Sequence, residues 1–160
     1  YLVIPSVPKA QRTTPKDWQQ LARRFDELGE ATRRHGIKFA YHNHEYEFAL
    51  TEGQLPYDVL LEGTNKQLVD FEMDIFWIRR GGQDPLAYFK RWKGRFPLVH
   101  VKDMTLDGKM VDVGAGSIDW RSIYAARKEG GIRHWFVEHD EPKDPIGSLA
   151  ASYSYMEKLH

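Results

Sequence analysis

The sequence predicts an α/β fold, a (β/α) barrel in which parallel strands alternate with helices. Short apolar runs alternate with amphipathic helical stretches, and four of the runs end in carboxylate or imidazole side chains, at 41–44, 71–74, 99–103 and 137–140. Polar groups at the carboxyl ends of several strands are typical of a barrel. An open doubly wound sheet binds its ligand at a single switch point, and no glycine-rich phosphate turn follows any run, so the barrel is favoured.

The first half of the chain contains three strand candidates and two helix candidates. Strands are predicted at 1–4, 37–42 and 68–74, and helices at 17–35 and 56–63. Thr14 is the expected N-cap of the first helix, with Pro15 at its first position and Asp17 three residues after the cap. Gly36 ends this helix, since glycine readily adopts the left-handed conformation found after a helix.

The second half repeats the pattern. A helix at 84–92 opens at an Asp-Pro pair and closes at Gly94. A strand at 98–102, a helix at 119–129, a strand at 135–140 and a closing helix at 144–159 follow, with a possible extra strand at 110–113. The tryptophan-rich helices are expected to pack into the core.

Composition excludes several classes of protein. The chain has 160 residues, of which 41% are hydrophobic and 29% charged, which is typical of a globular domain. Its 23 basic and 23 acidic residues cancel, so we expect no nucleic acid as a partner, and no apolar run approaches the ~20 residues of a membrane span, so we expect no membrane either. The absence of cysteine excludes disulfides and thiolate metal sites, and the expected compartment is the cytoplasm.

The length is short for the predicted fold. A complete barrel takes about 250 residues, whereas this chain offers five clear strands in residues 1–160. We interpret 1–160 as a single barrel-like domain that corresponds to the C-terminal two-thirds of a full barrel. The chain opens at Tyr1 without an initiator Met, so a processed or truncated protein is expected. Open sheet edges would favour self-association.

The polar residues at the strand ends form same-face pairs, because side chains alternate across a strand. The pairs are His42 with His44, Glu72 with Asp74, His100 with Lys102, and Glu138 with Asp140. If these faces point into the barrel mouth, a set of nitrogen and oxygen ligands converges there, with Glu47 within reach. Such a set suits one divalent ion: Mn, Mg, Co or Zn.

Other polar residues are given structural interpretations. Asp103 and Asp140 are expected to act mainly as loop or capping residues, and His139 is expected to be structural because it lies on the face opposite Glu138. No chemistry is assigned to the remaining histidines at helix ends, loops and the terminus: His35, His134 and His160.

Several of these segments together resemble one family. Residues 36–48 (GIKFAYHNHEYEF) are similar to the fourth-strand motif of the xylose isomerase-like TIM-barrel superfamily, the sugar phosphate isomerases/epimerases. Residues 71–74 with Trp77 and 82–85 resemble its fifth-strand motif, 98–104 the sixth, 113–120 the glycine loop that follows, and 136–140 the eighth. The match runs over 1–160 in the family's order. The resemblance implies an N-terminally incomplete barrel of this type.

The resemblance also implies site residues. The family binds one divalent metal through Glu, Asp, His and Glu, which places the ligands at Glu47, Asp74, His100 and Glu138, with Glu47 chosen over Glu45. Many members have a glutamate where this chain has His42. His42 and His44 then become candidates for proton transfer, beside Glu47 and Glu138. The candidates for binding substrate are Lys102, His42 and Trp77.

The implied activity is that of a divalent-metal-dependent sugar isomerase or epimerase. It would act on a sugar or keto-sugar by proton transfer next to a carbonyl, with a cation stabilising the developing enediolate. The alternative is a lyase or dehydratase using the same metal site on a keto-inositol or 3-keto-glycoside. His42-x-His44 in place of the usual glutamate favours that alternative. A DNA-directed function is a third possibility, but the DNA-directed members of the superfamily need more metal ligands and a basic groove. The last possibility is an inert fragment, which would bind no metal.

Overall fold

The computed structural model describes residues 1–159; His160, to which no role was assigned, lies outside the described residues. The strands are β1 (Leu2–Ile4), β2 (Phe39–His42), β3 (Val69–Asp74), β4 (Leu98–Val101), β5 (Asp103–Met104), β6 (Met110–Val111) and β7 (His134–Val137). The α-helices are α1 (Pro15–Arg33), α2 (Pro56–Gly63), α3 (Ile75–Arg80), α4 (Pro85–Arg91), α5 (Trp120–Ala125), α6 (Arg127–Gly130) and α7 (Pro145–Glu157).

Five of the strands form one parallel sheet in the order β1-β2-β3-β4-β7. The sheet is curled: at the amino ends of its two edge strands, the rings of Tyr1 and His134 lie 6.1 Å apart between centroids. Helices connect successive strands, as parallel pairing requires. The predicted fold class, an incomplete (β/α) barrel, is confirmed.

The first helix begins as its sequence predicts. The Thr14 side chain accepts a hydrogen bond from the Asp17 backbone amide, and the Asp17 carboxylate accepts one from the Thr14 amide, which completes a capping box. The helix ends at Arg33, slightly before the predicted end, because the last turn tightens before Gly36 adopts a φ of +71°.

Three local features differ from the sequence-based predictions. The helix expected at 119–129 is two short helices, α5 and α6, which Ala126 separates. The possible sixth strand at 110–113 is instead β6, which pairs antiparallel with β5 in a small hairpin outside the main sheet. Helix α3 was not predicted; it begins directly after β3, where the Asp74 carboxylate accepts a hydrogen bond from the Trp77 amide at 3.0 Å.

A fourth correction concerns β7. The resemblance placed residues 136–140 in the eighth strand of a barrel, two places beyond β4. The structure pairs β7 directly with β4, with Leu98 opposite His134 and Val101 opposite Val137. The connection between them contains the β5–β6 hairpin and helices α5 and α6 but no strand that could lie between β4 and β7.

The core lies between the sheet and the helices and is rich in aromatic side chains. Phe25 of α1 stacks on Tyr41 of β2 at 4.9 Å between ring centroids, and Tyr57 of α2 meets Phe71 of β3 edge-on at 5.5 Å. Residues on the other face of the same strands point into the curl of the sheet. This division leaves the inner face free for polar groups. None of the helices in residues 1–159 has the length and apolar composition needed to cross a membrane.

Candidate metal centre and active site

The carboxyl ends of β2, β3 and β4 bring two histidines and two carboxylates together. Strand register sets His42 opposite Glu72 and Asp74 opposite His100. All four side chains share the inner face of the sheet, because residues that are directly opposite each other in neighbouring strands point the same way. The predicted convergence at this end of the sheet is therefore present in the structure.

Glu72 connects the two imidazoles. Its Oε2 lies 3.1 Å from His42 Nδ1 and 3.2 Å from His100 Nε2. Burial alone would raise the pKa of Glu72, but the hydrogen bonds and charges of His100 and His42 lower it to about 2. Glu72 is therefore ionised at neutral pH and fixes the orientation of both rings.

Asp74 is the most deeply buried carboxylate of the group. One nitrogen each from His42 and His100 and one oxygen from Asp74 lie within 4.8 Å of one another, close enough for a single ion to touch all three. Asp74 is fully buried, and its Oδ2 forms an ion pair with Lys102 Nζ at 3.2 Å but no well-aligned hydrogen bond. Burial raises the pKa of Asp74, and Lys102 and the histidines oppose that shift. A buried carboxylate beside two imidazoles is a donor set that fits a divalent cation.

Lys102 lies among three carboxylates. Its Nζ is 3.2 Å from Asp74 Oδ2, 2.9 Å from Glu138 Oε2 and 3.0 Å from Asp140 Oδ1. Burial would lower the pKa of Lys102, but the surrounding carboxylates outweigh it and raise this pKa above its ordinary value. The side chain is 4% exposed. It is a fixed positive charge at the carboxyl ends of the strands.

Glu138, the residue directly after β7, completes the polar cluster. Its Oε2 lies 2.6 Å from His100 Nδ1, on the side of the ring opposite Glu72. Burial would raise the pKa of Glu138, but Lys102 and His100 lower it overall. For His100, burial would lower the pKa, and Glu72 and Glu138 raise it overall. Glu138 thus lies beside the three-residue metal group as a partner of His100 and Lys102.

His44 lies beside His42, with 5.1 Å between the two ring centroids. Its ring stacks on Tyr46 at 5.4 Å and lies 5.7 Å from Trp77, measured between ring centroids. Burial, followed by the nearby His42 and Lys102, lowers the pKa of His44 to about 4. Its Nδ1 is buried without a hydrogen-bond partner. At neutral pH this imidazole is neutral and able to accept a proton.

Glu47 does not meet the other three predicted ligands. One of its carboxylate oxygens accepts a hydrogen bond from the Tyr41 hydroxyl, and the other accepts one from the His44 backbone amide at 2.9 Å. Tyr41 belongs to the helix-facing core, and Glu47 is not among the three residues whose ligand atoms lie within 4.8 Å of one another. Glu45, the residue weighed against Glu47, pairs with Arg80 at 2.8 Å. The structure brings His42 into the ligand group instead.

The remaining candidates divide between the site and the scaffold. Trp77 and Asp140 line the same cavity of about 240 Å³ as His42, His100 and Lys102. Asp140 therefore belongs to the site, although it was expected mainly to be a loop or capping residue.

Asp103 and His139 behave as predicted. Asp103 accepts hydrogen bonds from the glycine loop, and His139 lies 3.2 Å from both Asp112 and Ser148. The role of Glu72 was missed, although its place on the same face as Asp74 was a signal for it.

The structure combines a curled parallel sheet with a cluster of candidate metal ligands at the carboxyl ends of its strands. These two features define the class of (β/α)-barrel proteins with a candidate divalent-metal site. The chain belongs to the xylose isomerase-like TIM-barrel family, whose model matches residues 1–159. The predicted family is thereby confirmed. A solved sugar phosphate isomerase/epimerase of Parabacteroides distasonis is 28% identical with a TM-score of 0.85, and the match covers 97% of this chain and 56% of that one.

Curated relatives carry a different name. An inosose dehydratase of Lacticaseibacillus casei is 26% identical over 92% of this chain. That match covers 54% of the relative, so the chain spans about half the length of the curated proteins it matches. The structure of the IOLI protein with a bound zinc atom is 18% identical with a TM-score of 0.72, covering 99% of this chain and 62% of the other; it shares the fold.

Proposed function

We propose that this site catalyses proton transfer next to the carbonyl group of a keto-sugar or keto-polyol, as a divalent-metal-dependent isomerase or epimerase. The observation that carries the proposal is the convergence of His42, Asp74 and His100 within 4.8 Å beside the ammonium group of Lys102. Removing a proton next to a carbonyl places negative charge on oxygen, and cationic groups stabilise that charge.

His42, Asp74 and His100 are the residues that would hold the cation, with Glu138 beside them. A bound divalent ion would supply Lewis acidity to the oxygens of the substrate. The donor set is consistent with the Mn, Mg, Co or Zn expected from the sequence, and the zinc of the IOLI protein is one precedent in the same fold. Glu72 supports this arrangement by fixing both imidazole rings.

The other polar residues take the remaining roles. His44 is neutral at pH 7, because burial lowers its pKa to about 4, and its free Nδ1 makes it the candidate base. Lys102 stays protonated and stabilises negative charge on a substrate oxygen. Trp77, whose ring lies 5.8 Å from Lys102 Nζ, supplies an aromatic wall for the ring of a sugar.

Dehydration is the second candidate, because curated relatives such as the Lacticaseibacillus casei protein are named inosose dehydratases. The first step would be the same removal of a proton from the carbon next to the carbonyl. A hydroxyl group on the following carbon would then leave as water, taking up one proton, and a carbon–carbon double bond would form. Returning the proton to carbon instead gives an epimer or an isomer.

One experiment separates the two outcomes. The chain is loaded with Mn²⁺ and incubated in D₂O with fructose and, separately, with a keto-inositol. An isomerase or epimerase incorporates deuterium into carbon without loss of mass as water, whereas a dehydratase gives a product lighter by one water that absorbs as an enone. Mass spectrometry and ultraviolet absorbance measure both.

His100→Ala is the control variant, since it removes one of the three grouped ligands and should abolish either reaction and the bound cation. If the Mn²⁺-loaded chain gives no deuterium exchange and no enone with either substrate, the proposal is wrong.

A further inference from the structure

A second cavity adjoins the candidate site. It has a volume of about 610 Å³, compared with about 240 Å³ for the site cavity. Trp77 and Asp140 line both cavities, so the two are neighbours that share a wall. The larger cavity is lined by residues from α3, from the β5–β6 hairpin and from the segment after β7: Phe76, Arg80, Asp107, Lys109, Met110 and Glu141. We call this larger cavity the hairpin groove.

The site cavity is small for an extended substrate. A volume of about 240 Å³ lies below the range of ordinary small-molecule pockets, which begins near ~300 Å³. The proposed function places a single sugar ring in this cavity. Any substituent on that ring would extend out of the site cavity. The hairpin groove is the cavity that shares a wall with the site cavity.

The hairpin groove is polar with an aromatic wall. The Arg80 guanidinium lies 5.6 Å from the centre of the Trp77 ring and is paired with Glu45 at 2.8 Å. Lys109 is paired with Asp107 at 2.9 Å. Arg80 and Lys109, which line the groove, each already have a carboxylate partner, Asp140 is paired with Lys102, and Glu141 adds a further negative charge. This balance disfavours a phosphate and favours an uncharged group with many hydroxyls.

The hairpin wall is held in place by its own hydrogen bonds. The Thr105 hydroxyl donates to Asp107 Oδ1 at 2.5 Å and accepts from the Lys109 amide at 3.0 Å. The Asp140 amide donates to the Met110 sulfur at 3.2 Å, which ties the hairpin to the segment after β7. A wall fixed before binding costs little entropy when a ligand enters.

We propose that the hairpin groove is a second sugar-binding subsite, so that the substrate is a disaccharide or another glycoside rather than a free monosaccharide. The inference rests on the proposed function for the position of the first ring. The second ring would pack on the outer face of Trp77 and exchange hydrogen bonds with Arg80 and the carboxylates of the hairpin groove.

The test measures the affinity of the Mn²⁺-loaded chain for glucose, glucose 6-phosphate, cellobiose, maltose and trehalose by isothermal titration calorimetry. At least one disaccharide should bind tenfold or more tightly than glucose. Arg80→Ala should reduce that preference at least fivefold and leave glucose binding unchanged. Arg79→Ala is the matched control, because Arg79 is an exposed arginine on the same helix that does not line the groove, and it should change neither affinity.

The failures are distinguishable. If glucose binds and no disaccharide exceeds it threefold, or if Arg80→Ala and Arg79→Ala behave alike, the subsite is refuted while the proposed function stands on its own exchange assay. If glucose 6-phosphate is the one sugar that binds more tightly than glucose, the groove is a phosphate site and the sugar subsite is refuted. If none of these sugars binds, the subsite is refuted, and the proposed function is decided separately by the exchange assay with fructose and a keto-inositol.

Discussion

Glu47 shows how one buried carboxyl group affects the pH dependence of folding. The side chain is fully buried, and burial raises its pKa to about 8 although hydrogen bonds from Tyr41 and the His44 amide oppose the shift. In the unfolded chain the same group ionises near its ordinary pKa of about 4.5. Between these values the folded state binds the extra proton, so Glu47 makes the free energy of unfolding fall as the pH rises.

Glu47→Gln should remove this dependence, because an amide cannot ionise; its oxygen can accept from the His44 amide while its NH₂ group donates to the Tyr41 hydroxyl oxygen. Between pH 5 and pH 8 the wild-type free energy of unfolding should fall more steeply than that of the variant, by up to about 1.4 kcal/mol per pH unit. Urea denaturation at several pH values measures the slopes. Glu45→Gln, an exposed glutamate in the same segment, should keep the wild-type slope.

The same variant tests the ligand set. The Glu47 carboxyl group contacts Tyr41 and His44 rather than the metal group, so the Mn²⁺ content of Glu47→Gln, measured by elemental analysis, should equal that of the wild type. Loss of the cation in this variant would restore Glu47 as a ligand, as the sequence predicted. If the free energy of unfolding changes with pH equally steeply in the wild type and in Glu47→Gln, the assignment of Glu47 as a neutral, buried group is contradicted.

At the scale of elements, Asp103 organises the glycine loop that follows the β5–β6 hairpin. Its side chain is fully buried. It accepts hydrogen bonds from the indole of Trp120 at 3.0 Å and from four backbone amides, of Met104, Gly114, Gly116 and Ile118. A Cβ at Gly116 would lie 2.2 Å from Asp103 Oδ1, so only glycine allows this close approach.

Asp103→Asn should therefore destabilise the chain by about 2 kcal/mol or more, because one acceptor oxygen becomes a donor that faces N–H groups. Thermal and urea denaturation measure the loss. Asp144→Asn provides the control, since Asp144 caps α7 through the Gly147 amide and asparagine caps helices about as well. A variant as stable as the wild type would show that other contacts hold the loop.

The elements that the sequence predicted correctly are those with long periodic patterns or strong caps. Helix α1 has both an apolar stripe and a capping box. The β5–β6 hairpin was missed because its strands are short, with Asp103–Met104 pairing with Met110–Val111. Helix α3 was missed because it follows β3 without a turn, so Ile75–Arg80 continues the apolar run of the strand.

The candidate site was predictable to a similar degree. Alternation along β3 and β4 was enough to place Asp74, His100 and Lys102 on one face. The hydrogen-bond partners of each side chain could not be predicted, because they depend on how the segment after β2 folds. Glu47 pairs with Tyr41, which alternation placed on the opposite face from His42.

The whole molecule carries two sheet edges with exposed apolar side chains. Leu2 on β1 is 50% exposed and Phe136 on β7 is 44% exposed. Within residues 1–159 no ladder of hydrogen bonds joins β1 to β7, so both edges can accept another strand. Such edges tend to pair with another chain.

We therefore expect the chain to self-associate in a concentration-dependent manner. A double variant, Leu2→Lys with Phe136→Lys, should shift it towards the monomer, since charged side chains on edge strands oppose pairing. Sedimentation velocity over a concentration series measures this. Leu106→Lys, at the exposed tip of the hairpin, is the control and should leave the association unchanged. A compact wild-type monomer at every concentration would contradict the expectation.

The position of His100 between Glu72 and Glu138 has a thermodynamic consequence. Although burial opposes protonation, the two flanking carboxylates raise the pKa of His100 above its ordinary value. An imidazole can donate its lone pair to a cation only after it has lost the proton on that nitrogen. A proton and a divalent cation would therefore compete for the same imidazole nitrogen: a cation that binds a protonated His100 would displace its proton, and acid would displace the cation.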